Sequence, residues 1–164
     1  MGIVEQLRKV LVTDELDLSE LDESYVEVDE EGNEHPIKLP FRLNWTRGLK
    51  ERRHDLRKEL FAIQDALRDA DDDEIEALNK RADAYADKAM AWWADVLLMD
   101  VDEVRAIQGA IPDGHWQWIA GQIVRRVGEY EEDAVKKAHA APSPTSGEQG
   151  QGRQTSSSEP NSQE

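Results

Sequence analysis

The chain of 164 residues contains no cysteine, which excludes disulfides, thiol nucleophiles and thiolate metal sites. It also lacks a long apolar run, because Asp87, Asp95 and Asp100 interrupt its most hydrophobic region before it reaches the roughly 18 apolar residues of a membrane span. The N-terminal stretch MGIVEQLRKVLVTDELD has no apolar core followed by a cleavage site, so it does not resemble a secretory signal. These absences predict a soluble cytoplasmic protein that does not contact membranes.

Positive charge is scarce, with 20 basic against 36 acidic residues and a formal net charge of -16. Such a chain repels nucleic acid and anionic membranes, so we expect a protein partner and no nucleic acid. One segment, KERRHDLRK at residues 50–58, runs against this charge. We expect it to pair with acidic segments of the same chain or of a neighbouring subunit, with plain solvation and nucleic-acid binding as alternatives. This candidate basic ion-pairing patch comprises Lys50, Arg52, Arg53, Arg57 and Lys58.

Recognisable catalytic constellations are also missing. None of the four histidines stands three or four residues from another, and the chain has no HExxH, glycine-rich nucleotide loop or G-x-S-x-G motif. His115 would act as an acid or base only beside an orienting carboxylate such as Asp113, and we interpret it as a surface residue. Asp83 and Asp87 lie one helical turn apart and are interpreted as part of a solvated face. We therefore expect no catalytic residue, no metal site and no cofactor, and predict that the protein is not an enzyme.

The segment SYVEVDEEGNEHPIKLPFRLNW carries the strand pattern of the chain. After the turn signal EGN, apolar residues from Ile37 to Trp45 alternate with polar residues or proline, which predicts a β-hairpin at about residues 25–43. Pro36 and Pro40 cannot donate ladder hydrogen bonds, so the second strand lies at an edge or ends near Leu39. A lone hairpin is only marginally stable in water, so we expect its apolar face to pack on helices or on another chain.

Helical periodicity dominates the rest of the chain and predicts helices at about residues 47–70, 73–99, 101–110 and 114–137. The first two are joined by a short acidic turn, which is typical of an antiparallel helical hairpin. The strictest heptad repeat lies in the second helix, at Ile75, Leu78, Ala82, Tyr85, Ala89, Trp92, Val96 and Met99. The sequence thus predicts a mainly α fold, an α-helical bundle with a heptad-patterned helical hairpin plus one small N-terminal β-hairpin.

One domain accounts for residues 1–139, with a short amphipathic helix predicted at residues 2–12. Residues 140–164 contain no large apolar side chain and cannot offset the entropy of ordering. We predict that they form a disordered acidic and polar tail.

A second apolar stripe widens the hydrophobic face of the long helix. Because it runs beside the heptad positions, that helix is either central in the fold or shared with a partner. The stripe consists of Ala86, Met90, Trp93 and Leu97. On the last helix Trp116 joins the apolar face and is predicted as a core residue, whereas Trp118 lies about 200° around the axis. We predict a candidate client-binding or self-association surface at Met90, Trp93, Leu97, Trp118 and Gly121.

The parts of the chain follow a distinctive order. An acidic lead precedes a hairpin ending in LPFRLNW, a basic helix KERRHDLRKEL, an acidic interruption DADDDEIEAL, a long apolar helix, a short capped helix, the segment GHWQWIAGQIVRRVGEY and a Ser/Gly/Pro/Glu-rich tail. This layout, over roughly residues 20–164, resembles that of tail assembly chaperones of long-tailed, siphovirus-like bacteriophages. The resemblance is one of layout and composition.

The resemblance implies a non-enzymatic chaperone that binds the long, helical, aggregation-prone tape measure protein and helps recruit tail tube subunits. It places the protein in the bacterial host cytoplasm, and it implies a second, longer product made by translational frameshifting. The alternative is an acidic adaptor or inhibitor of a basic protein, including one that mimics DNA, whose complex would weaken steeply with salt. A small helical Mg²⁺-dependent nucleotide hydrolase is a weaker alternative, and self-association into a homo-oligomer is left open.

Overall fold

The structure is a computed structural model that describes residues 2–3 and 11–140. It confirms the predicted fold class, because its described elements are four helices and a small β-region near the N-terminus. The predicted tail lies outside the described residues except for Ala140, and the predicted helix at residues 2–12 lies largely outside them. The helices are α1 (Arg47–Arg68), α2 (Asp72–Leu97), α3 (Val101–Ala110) and α4 (Asp113–Ala140).

Two short antiparallel ladders form the β-region. One pairs β2 with β3 as a hairpin, and Gly32 in its turn has a φ of 85°, a value that favours glycine. The other pairs β4 with β1, setting Leu16 opposite Leu39. The strands are β1 (Thr13–Asp17), β2 (Val26–Val28), β3 (Glu34–Pro36) and β4 (Lys38–Arg42), and a 3-10 turn at Leu18–Glu20 follows β1.

The structure refines the single hairpin predicted at residues 25–43. The alternating segment does form a strand, β4, but this strand pairs with β1 instead of continuing the hairpin with β2. Each described ladder has two strands, so every strand is an edge strand and tolerates proline, as expected. Pro40 lies opposite Glu15 and Pro36 lies opposite Val26.

Side-chain caps determine where the helices begin. The hydroxyl of Thr46 accepts a hydrogen bond from the amide of Leu49 at the start of α1. Asp71 is the N-cap of α2 and Asp100 is the N-cap of α3, each in a reciprocal capping box with the glutamate three residues later. At the end of α2, Leu98 adopts a left-handed conformation with φ 57°, which turns the chain back towards α3.

The core lies at the base of the molecule, where β1, β4, the first turn of α1 and the later part of α2 meet α3 and α4. Trp92 is near its centre: its indole N–H donates to the carbonyl of Leu49 at 2.8 Å, and its ring meets Trp45 and Trp93 edge to face. The buried members are Leu16, Leu18, Leu39, Phe41, Trp45, Leu49, Trp92, Ala94, Val96, Leu97, Val104, Ile119, Ile123 and Val127.

The α1–α2 hairpin continues well beyond this core. Among residues 57–88, which include most of α1 and the first part of α2, Ile63 is the single buried side chain. We call residues 57–88 the far half of the hairpin. Its two helices are held by each other, whereas the base is enclosed on several sides.

Candidate functional site

The second stripe of α2 lies largely inside the molecule. Leu97 is completely buried, which removes it from the predicted client-binding surface. Trp93 is half-buried, with its ring centroid 4.9 Å from that of Trp92 and 5.2 Å from that of Trp116. Met90 is half-buried and packs against the same core. The structure therefore answers the question raised by the two stripes: α2 is central in the fold, and the start of α4 covers part of its second stripe.

The other predicted surface residues lie on α4. Trp116 is half-buried rather than fully buried, and it turns towards Trp93. Trp118 is also half-buried and packs against the core, but it lies about 200° around α4 from Trp116. Gly121 is exposed, and an added Cβ there would meet no atom within 4 Å. Helix geometry therefore separates Trp118 and Gly121 from Trp93, so the five predicted residues do not form one patch.

An apolar surface that the sequence analysis missed lies on one flank of the far half of the hairpin. Leu67 on α1 is 45% exposed and Ile75 on α2 is 38% exposed, although both occupy positions of the apolar stripes. With α1 and α2 antiparallel, the helical period places both on the same flank as three further apolar residues. We call this set the hairpin face: Leu60, Leu67, Ile75, Ala82 and Ala86. The sequence carried a signal for this surface: a hairpin of two helices has no third helix to cover the apolar positions on its flank.

Ion pairs between the helices lie on the opposite flank. Arg81 of α2 donates two hydrogen bonds to the carboxylate of Glu59 of α1, at 2.6 and 2.9 Å. These bonds and the attraction between the charges hold the pKa of Glu59 below its usual value and raise the pKa of Arg81. Arg52 pairs with Asp95 on the same flank. Among residues 11–140 no ion pair crosses the hairpin face, so the two flanks are chemically different.

The predicted basic patch divides into paired and open charges. Lys50 pairs with Glu131 of α4, and Arg52 pairs with Asp95 of α2. Arg53 lies over the ring of Trp45 at 5.9 Å, and its burial, together with repulsion from Arg57, lowers its pKa. Within residues 11–140, neither Arg57 nor Lys58 has a carboxylate at ion-pairing distance.

An open cavity of about 320 Å³ lies between α1 and α4 beside these charges. We call it the cationic cavity. Its α1 side is formed by Lys50, Arg53, His54 and Arg57, and Glu131 contributes the carboxylate that pairs with Lys50. Arg53 and Arg57 repel each other there, so the binding of an anionic group in the cavity would be favoured.

The turn between α1 and α2 carries the opposite charge. Asp71 and Glu74 are used in the capping box, and the exposed carboxylates of Asp72 and Asp73 lie beside them in the first turn of α2. Negative charge at a helix start is stabilised by the macrodipole, so the cluster is stable without a metal. We call residues 69–76 the acidic tip.

His115 has a different partner from the one considered in the sequence. Its Nδ1 lies 2.6 Å from the hydroxyl of Tyr25, and the two rings meet edge to face. The contact joins the loop before β2 to the first turn of α4. Since Tyr25 occupies this ring nitrogen, the pair has a clear structural role in attaching the β-region to α4.

Comparison with known proteins returns no match: no family model, no curated protein and no solved structure is similar to the chain. The likeness to tail assembly chaperones therefore rests on layout and composition alone. In the part of the chain that the structure describes, no helix is long and apolar enough to cross a membrane. Across the same residues, no three His, Asp or Glu side chains are grouped as metal ligands would be.

Proposed function

We propose that the protein is a non-enzymatic assembly chaperone that holds an amphipathic helix of its client against the hairpin face. The observation that carries this proposal is the exposure of Leu67 and Ile75 on a flank where apolar residues continue for several helical turns. Two antiparallel helices present a shallow groove, and a third helix fills such a groove by packing its ridges between theirs.

The charge of the chain supports the same role. A net charge of -16 keeps a chaperone and its bound client dispersed, because loaded complexes repel one another. The small side chains of Ala82 and Ala86 let a client backbone approach α2 closely. From the resemblance in layout, we propose the phage tape measure protein as client, tail tube protein as a second partner, and the host cytoplasm as the location.

The test is co-expression with a long helical client, beginning with the product of the reading frame directly downstream. We expect the client to become soluble and to co-purify at both low and high salt, since apolar contacts are not screened. Leu67→Glu and Ile75→Glu should abolish co-purification, because each places a charge on the hairpin face.

Val28→Glu is the matched control, since Val28 is 63% exposed and lies on β2, away from the α1–α2 hairpin. Retained client binding by both hairpin variants would contradict the proposed surface. A complex that forms at low salt and is lost at high salt would instead favour the acidic adaptor. The exposed acidic tip is the observation that supports this alternative.

A further inference from the structure

The cationic cavity, the hairpin face and the acidic tip follow one another along the α1–α2 hairpin. We infer that a second copy of the chain covers the hairpin face, antiparallel to the first, so that the acidic tip of each copy enters the cationic cavity of the other. This inference goes beyond the proposed function and does not depend on it; because the second copy and the client use the same face, a bound client displaces the second copy.

Charge complementarity identifies the second copy as the occupant. The cavity presents Arg53 and Arg57, neither of which has an ion pair within residues 11–140. The tip presents Asp72 and Asp73, which likewise lack a cationic partner within ion-pairing distance there. Opposite charges left open on one chain, at separate places, are satisfied together when two copies exchange them.

The distances along the helices fit this exchange. From Arg57 to the end of α1 at Arg68 is 11 residues, or about 17 Å at a rise of 1.5 Å per residue. In an isologous antiparallel pair, that length is also the overlap of the two hairpins. Leu60 and Leu67 lie within the overlap on α1, and the apolar residues of α2 from Ile75 to Ala86 run alongside them. The exposed apolar stretch is therefore as long as the separation of the two charges requires.

A parallel pair of copies would not bring the opposite charges together. It would set the two acidic tips side by side and the two cationic cavities side by side, where like charges repel. The antiparallel pair instead forms a four-helix arrangement in which apolar residues of both hairpins meet. Because the overlap is short, the contact falls at the small end of specific interfaces, and we expect a dimer that dissociates on dilution.

The first test is the mass of the full chain, measured by analytical ultracentrifugation over a concentration series at low salt. We expect twice the monomer mass at high concentration. Arg57→Glu alone and Asp72→Lys/Asp73→Lys together should each weaken the dimer at least tenfold, and combining them should restore it. Arg125→Glu is the control, because it makes the same charge change as Arg57→Glu at an exposed position of α4. A monomer at every concentration, or loss without restoration in the combined variant, would overturn the inference.

The second test reads the orientation directly. The chain has no cysteine, so Arg57→Cys and Asp72→Cys each provide one thiol for a short bis-maleimide cross-linker. A mixture of the two variants should cross-link, whereas each variant alone should not, because the two copies of each residue lie about 17 Å or more apart in the antiparallel pair. Cross-linking of each variant with itself, with no cross-link between the two variants in the mixture, would show a parallel pair and refute the arrangement.

Self-association and client binding are separable by one variant. Arg57→Glu should lose the dimer but keep the client, since the hairpin face is unchanged. A wild-type dimer that binds no client would leave this inference standing and remove the proposed function. A client that co-purifies with a chain that is monomeric at every concentration would do the reverse.

Discussion

In the base of the molecule Leu97 is enclosed by packed elements and has no exposed surface, whereas Leu67 in the far half of the hairpin remains 45% exposed. Both leucines belong to apolar stripes with helical spacing. They differ in how many elements surround them: α2 near Leu97 meets α3 and α4, while the far half of the hairpin has α1 and α2 alone to bury its side chains.

This difference shows what a heptad pattern does and does not establish. Apolar spacing of three and four determines which side of a helix avoids water, and a single neighbouring helix covers only part of that side. Where further elements complete the coverage, the stripe becomes core, as at Trp92. Where they are missing, the remainder becomes a surface for another helix, as at Ile75.

The largest expected effect comes from making one substitution in both regions. Leu97→Ala should lower the free energy of unfolding by about 2–5 kcal/mol, because it leaves a cavity in a fully buried site. In the dilute monomer, Leu67→Ala should cost about 1 kcal/mol or less, since much of that side chain already contacts water. Urea unfolding followed by circular dichroism measures both values.

Equal losses from the two alanine variants would break the comparison. A large loss at Leu67 would mean that the far half of the hairpin is covered in solution, and dilution would show whether a second copy covers it. A small loss at Leu97 would return this residue to the candidate client surface from which its burial removes it.

An effect of intermediate size on the free energy of unfolding is expected at the contact that attaches the β-region to α4. Tyr25→Phe removes the hydroxyl that lies 2.6 Å from Nδ1 of His115 while keeping the aromatic ring. We expect a loss of about 0.5–1.5 kcal/mol in the free energy of unfolding, the usual net contribution of one hydrogen bond. Hydrogen exchange should quicken in β1 and β4 and stay unchanged in the far half of the hairpin. Faster exchange throughout both regions would show that they unfold as one unit.

The helices were predictable because their signals are local. Asp71 and Asp100 each stand at an N-cap with a glutamate three residues later, and the apolar spacing between the caps follows the helical period. The structure places capping boxes at both positions. The left-handed conformation of Leu98 at the end of α2 could not be predicted, because glycine is the residue that usually adopts it there.

The β-region was only partly predictable because its pairing is not local. β1 has the sequence TDELD, in which Leu16 is the one apolar residue, so the strand reads as part of an acidic run. Its burial depends on Leu39, which lies 23 residues further along the chain and faces it across the ladder. The partner of a strand is chosen by tertiary packing, and a pattern of alternating residues does not name it.

The division of the candidate surface could not be predicted for a related reason. The stripe containing Met90 and Trp93 indicated a wide apolar face, but the residues that cover it, such as Trp116, come from another helix. Sequence periodicity identifies the apolar face of a helix but not the element that packs against it. The cationic cavity could not be predicted either, because Arg57 and the residues of α4 that complete the cavity are far apart in the chain.

The smallest effect is expected at the ion pair that joins the two helices of the far half. Arg81→Gln removes the charged donor that lowers the pKa of Glu59, so at neutral pH the melting temperature should fall by less than in Tyr25→Phe. A carboxyl with a depressed folded-state pKa stabilises the fold above its unfolded pKa and loses this contribution as pH falls through the folded value. The difference in melting temperature between Arg81→Gln and the wild type should therefore shrink on acidification. Arg125→Gln, which disrupts an exposed pair within α4, is the control. A difference that persists unchanged in acid would assign the role of Arg81 to packing of its side chain against α1 rather than to its charge.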